Sequence, residues 1–141
     1  MELKVLLTAD TVNISREGKI NIAGEFNSFH FGKMPGSWPL MSIFARFEAH
    51  LGEGLEHALQ IKVTDQDGAA VLQSPVVEMK FKKLGSGIPA RADVIAQLAG
   101  ITFPRYGDYT VHLFVDGVRR GDTTLYVRQR PPTTPALPLK P

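Results

Sequence analysis

The stretch Tyr109-Thr110-Val111-His112-Leu113-Phe114-Val115 decides the fold. Side chains of an extended strand alternate between its two faces, so Tyr109, Val111, Leu113 and Val115 form one apolar row, with Thr110, His112 and Phe114 between them. Met41, Ile43, Ala45, Phe47 and Ala49 repeat the pattern against Ser42, Phe44, Arg46, Glu48 and His50. Other short stretches share the period, and nearly all end in Gly, Pro or Asp-Gly. Short, alternating, turn-bounded segments predict a small all-β sandwich.

Outward from that stretch, Leu3, Val5, Leu7 and Ala9 read as the inward face of a first strand. Ile20, Ile22 and Phe26 make one face of a second strand, after the Glu17-Gly18 turn. Gly and Pro between Asn27 and Pro39 predict a loop there without a regular central strand. His57, Leu59, Ile61 and Val63 resume the alternation, and Asp65-Gln66-Asp67-Gly68 turns the chain into Val71 and Leu72. Val77, Met79 and Phe81 read as an edge strand, because Lys80, Lys82 and Lys83 are charges that discourage stray pairing.

Ala90–Ala99 fits helical and strand spacing equally, and its β-type neighbours decide for a strand. It is followed by Gly100, Phe103-Pro104 and Gly107-Asp108-Tyr109, the order found at the corner before the sixth strand of immunoglobulin-like sandwiches. In that corner a Tyr hydroxyl returns to nearby backbone, which gives Tyr109 a structural role. Asp116-Gly117 closes a last hairpin onto Thr123, Leu125 and Val127. The expected architecture is one immunoglobulin-like, Greek-key antiparallel β-sandwich of about eight strands over residues 1–130. A Pro-rich C-terminal arm follows over 131–141.

Composition narrows the function classes. The chain has 141 residues, 43% hydrophobic and 21% charged, with 16 Lys and Arg against 14 Asp and Glu. The cations are scattered along the sequence, so no basic stripe points to nucleic acid, and the expectation is a chain without nucleic-acid or membrane partners. The absence of cysteine removes disulfides, thiolate zinc sites and cysteine nucleophiles. Met1 to Ala9 read as a strand and not as a signal peptide, and the expected location is the cytoplasm of the producing cell, with a virion as the further destination.

Chemistry-bearing residues are few. Asp65 and Asp67 supply part of a calcium loop, but Val63 and Ser74 would occupy its first and twelfth positions, so a hairpin turn is the better reading. His30, His50, His57 and His112 lack any metal-binding spacing, although His50 and His57 bracket a short connection. Ser86, in Gly85-Ser86-Gly87, lacks the strand-to-helix elbow of a nucleophile. The expectation is a protein without catalytic residues, cofactor or metal.

Aromatic residues outside the core rows are more informative. Phe29, Phe31, Met34 and Trp38 crowd the loop before the third strand, and Phe44 and Phe114 lie on otherwise polar faces. Aromatics and Met are enriched where partners meet. These six residues, with Pro131, Pro132, Pro135, Leu137 and Pro138 of the arm, form the candidate interface; the competing reading places the loop rings over one end of the sandwich.

Ala9-Asp10-Thr11-Val12-Asn13, Gly18 to Asn27, Phe103-Pro104 and Gly107-Asp108-Tyr109 leading to Val115-Asp116-Gly117 resemble a family of small bacterial and phage-associated sandwich proteins. The resemblance implies a fold and transfers no catalytic residue. The resulting expectation is a non-enzymatic structural or accessory module of a larger assembly, most concretely a phage capsid or tail decoration protein. It would contact protein subunits and self-associate. The alternative is a solitary carbohydrate-binding module in which Trp38 and the loop phenylalanines stack on sugar.

Overall fold

The alternating stretches pair into two sheets that meet across their apolar rows. The computed structural model describes residues 1–50 and 52–131. Among them are ten strands: β1 Glu2–Ile14, β2 Ile20–Glu25, β3 Ser28–Phe31, β4 Gly36–Glu48, β5 Glu56–Thr64, β6 Ala70–Gln73, β7 Val77–Lys80, β8 Arg91–Phe103, β9 Gly107–Val115 and β10 Val118–Gln129. One sheet has the order β2-β1-β4-β8; the other runs β3-β10-β9-β5-β6, with β7 also paired to β5. Every pair is antiparallel except β3 and β10.

The core lies where the sequence rows place it. Tyr109, Val111, Leu113 and Val115 of β9 are fully buried, facing Met41, Ile43, Ala45 and Phe47 of β4. Full burial of each large side chain contributes about 1.5–3 kcal/mol. Ala90–Ala99 lies within β8 for all but its first residue, so the strand reading holds. Between β9 and β10, the Asp116-Gly117 turn has two successive positive φ angles, 53° and 78°, as a two-residue hairpin with right-handed twist requires.

Tyr109 makes the expected corner: its hydroxyl donates to the Arg105 carbonyl at 2.6 Å and accepts the Arg105 N–H at 3.2 Å. Tyr109→Phe leaves both backbone groups unpaired beside a buried ring. It is expected to lower the unfolding free energy by about 2 kcal/mol in urea titration.

β1 departs from the sequence reading. A bulge between Leu3 and Val5 shifts its register, so that Leu3 and Leu6 face the main core while Val5, Leu7 and Ala9 turn to the outer side. One extra residue reverses every later side chain. The exposed row is covered by the distal half of the β1–β2 hairpin, which folds back over the sheet. Val12 and Ile20 pack there against Phe44, leaving that ring 2% exposed. Phe44, expected at an interface, is therefore the centre of a second small core.

The loop expected over 27–39 is also corrected. It holds β3, an edge strand lying parallel to β10, and the first residues of β4. Pro39 is tolerated because that part of β4 lies beyond its pairing with β1, which ends at Ser42. Opposite it Gly100 takes φ +66°, and the inward row steps from Met41 to Trp38 and from Leu98 to Ile101, three residues in place of two. That step carries Trp38, Ile101 and Phe103 into the core. Phe29 is 1% exposed, with ring centroids 5.2 Å from Phe26 and Trp38 and 5.0 Å from Phe103. Phe31 and Met34 pack on the same cluster. The four loop residues thus cap one end of the sandwich.

Candidate anion-binding face

The outer side of the four-stranded sheet gathers cations from distant parts of the sequence. Arg46 on β4 and Asp93 on β8 are cross-strand partners, with Arg46 Nε 2.7 Å from Asp93 Oδ1 and Nη2 3.4 Å from Oδ2. Arg91 Nε lies 3.6 Å from the same carboxylate. The Arg46 guanidinium sits over the Phe44 ring, 5.6 Å from its centroid. Lys82 precedes β8 and forms a two-way backbone bridge with Arg91, at 2.8 and 2.9 Å. Directly opposed residues share a face, and like charges so placed repel. The tip of the β1–β2 hairpin adds Lys19 to the same groove.

Negative charge is short on this side. Glu2 and Glu48 take Lys4, at 3.1 and 3.9 Å. That leaves Asp93 as the carboxylate between two guanidiniums, and among the described residues neither Lys19 nor Lys82 enters an ion pair. Between hairpin tip and sheet runs a groove of about 420 Å³, lined by apolar Val5, Ile20 and Ile22 and by cationic Lys19, Arg46 and Arg91. Sequence reading missed this face. It took Lys82 as a guard of a strand edge, and only β pairing brings position 82 to 91 and position 93 to 46.

The other candidates are accounted for locally. Asp65 Oδ1 accepts the N–H groups of Asp67 and Ala69, both at 2.9 Å, and Arg105 Nη2 bridges Asp65 and Asp67 at 2.9 and 3.1 Å. The bond from Ala69, then Arg105, holds the Asp65 carboxyl below its ordinary range. Both carboxylates are thus engaged by turn and guanidinium. Among the described residues no three His, Asp or Glu groups converge as a metal site. A cavity of about 1190 Å³ opens at the other end of the sandwich, lined by His50, Glu53, Leu55, Ser86 and Ile88. The carbohydrate reading needs a free face on Trp38, whose ring packs against Phe26, Phe29 and Phe31.

His57 does not meet His50 at a metal; it is held between Asp116 Oδ2 at 2.6 Å and the Gly54 carbonyl at 2.7 Å. The Asp116 bond raises its pKa above 6.5, and Asp116 is lowered, first by the Ala58 N–H and then by His57. A raised histidine stabilises below its unfolded pKa, and that stability is lost as pH rises through the folded value. His57→Gln is therefore expected to lower the melting temperature at about pH 5.5 and to differ less from the parent at about pH 8.5.

Phe114 stays half-buried on the outer side of the six-stranded sheet, and its ring lies 6.1 Å from that of His112. Burial, then Arg119, lowers the His112 pKa. His30 is exposed on β3, and Pro131 is exposed beyond β10. Pro132, Pro135, Leu137 and Pro138 lie outside the described residues. No helix long and apolar enough to cross a membrane occurs among the described residues.

Comparison with known proteins adds three findings. No curated protein matches the chain. Among solved structures, the Pseudomonas fluorescens alkylpurine DNA glycosylase AlkC bound to DNA containing an abasic site analog is similar, with a TM-score of 0.51 and 12% identity. The match covers 90% of this chain and 30% of the glycosylase, so the likeness is one of fold and the chain spans under a third of that protein's length. It corrects the expectation that the chain stands apart from enzymes and from nucleic acid, since a similar fold forms part of a DNA-bound enzyme. The expected protein partners and self-association find no support in it. A family model of unknown function, DUF6941, matches residues 4–128, and the chain belongs to that family.

Proposed function

We propose that the chain is an accessory contact module of a nucleic-acid-containing assembly, an immunoglobulin-like sandwich that meets phosphate backbone with the outer side of its four-stranded sheet. One observation carries the reading: Arg46 and Arg91 share the carboxylate of Asp93, Lys82 is bridged to Arg91, and Lys19 lines a groove with both arginines. Such crowding costs stability in the free protein and is relieved by an anionic polymer. The fold likeness to part of a DNA-bound protein is a second support, and the Tyr109 corner supports the immunoglobulin-like character. The resemblance to bacterial and phage-associated sandwich proteins makes a phage capsid or tail the concrete form of such an assembly.

Counterion release sets the test. Three or four phosphate contacts give a salt slope near −0.9 per contact, so affinity for a labelled nucleic acid should fall roughly 40- to 150-fold between about 50 and 200 mM salt. Lys82→Glu combined with Arg91→Glu keeps a like-charged pair across the bridge and reverses its sign. In fluorescence anisotropy this double variant, compared with the parent below its own melting temperature, should bind at least about tenfold more weakly at low salt. Equal binding by parent and variant would overturn the proposal.

A further inference from the structure

The groove beneath the hairpin tip discriminates among nucleic acids, and we infer that it receives a single strand, one nucleotide deep, in preference to a duplex. The inference rests on the phosphate-binding reading above and names the form of polymer. A duplex turns its phosphates outward and keeps its bases stacked inside, so a flat cationic surface suffices for it. A single strand offers phosphate and an unstacked base together, and proteins that bind one combine a charged track with an apolar or planar platform.

Both parts are present side by side. Lys19 and Arg91 line the groove together with Ile20 and Ile22, and Ile22 is 41% exposed. Arg46 is fixed over the Phe44 ring and held at its edge by Asp93, which makes its guanidinium a supported plane of the kind on which bases stack. At about 420 Å³ the space suits one nucleotide unit and is far too small for a turn of duplex. The hairpin tip that closes the groove is itself tied, Ser15 N–H to the Lys19 carbonyl at 2.8 Å and Lys19 N–H to Ser15 Oγ at 3.2 Å.

The test compares a labelled ten-nucleotide oligothymidylate with a blunt duplex of equal length, using the full chain. The strand is expected to bind at least about fivefold more tightly. Ile22→Ser, which removes the apolar wall without adding charge, should remove that preference and leave duplex affinity within about twofold. Ile22→Asn, also uncharged, should do the same, so a folding defect in one variant, seen in its melt, does not decide the result. Equal or tighter duplex binding that remains sensitive to Lys82→Glu/Arg91→Glu would overturn the single-strand inference and keep the phosphate-binding proposal. Absence of salt-dependent binding to either probe would overturn both.

Discussion

Phe29→Ala is expected to lower the free energy of unfolding by about 3–5 kcal/mol, a third or more of the stability of an ordinary domain. The ring is the hub of an aromatic cluster, within 5.2 Å of Phe26 and Trp38, 5.0 Å of Phe103 and stacked with Phe31 at 6.4 Å. Its removal leaves a void that rigid neighbours close poorly, because Phe103 is pinned between Phe29 and Tyr109, at 4.9 Å from the latter. The single tryptophan lies in the cluster, so urea unfolding followed by its fluorescence reads the loss directly. A change under about 1 kcal/mol would return Phe29 to the role of a contact residue on the surface.

Phe44→Ala is expected to be nearly as costly, about 3 kcal/mol, and confined in its consequences. Phe44 joins Val12, Ala9, Val5, Leu7, Ile20 and Ile95 into a cluster separate from the main core. Truncation should release the distal hairpin while the sandwich stays folded. Amide hydrogen exchange would then quicken between Thr11 and Glu25 and stay slow in β9. The same release carries Lys19 away from Arg46 and Arg91, so single-strand preference should disappear with the hairpin's protection. Uniformly faster exchange in both sheets would show instead that the two cores unfold as one.

The main rows were legible because buried strands obey a strict period of two. Val111, Leu113, Ile43 and Leu125 follow it, and local turn chemistry at Asp65–Gly68 and Asp116-Gly117 fixed the reversals between strands. Two of the misreadings share one physical origin, an interruption of that period. The bulge after Leu3 sent an apolar row to the outer side, and the step at Pro39 and Gly100 brought Trp38 inward where alternation alone would not. Neither leaves a mark in composition. The strand at Ser28–Phe31 was hidden for another reason: four residues beside Gly and Pro carry too little pattern, and its partner lies near the other end of the chain.

The cationic face was illegible for the complementary reason. Charges at 19, 46, 82 and 91 are evenly mixed with acids along the sequence, and their segregation is a product of strand order. Lys80 and Lys82 illustrate the point: the first lies on β7 near Glu78, at 3.9 Å, while the second is delivered to Arg91. Aromatic surplus was a poor guide here, because a thin sandwich closes its end with the same residues that a binding surface would use.

The parallel pairing of Ser28–Phe31 with Tyr126–Gln129 also governs how this protein is made. During synthesis β3 leaves the ribosome before the seven later strands, β4 to β10, and it has no lasting place until the final one arrives. Phe29 and its ring neighbours then wait in water through most of translation, the condition in which nascent chains associate wrongly. Slow closure dominated by distant contacts is the expected signature, and co-expressed holdase chaperones should raise the soluble yield of the chain more than a lower temperature does.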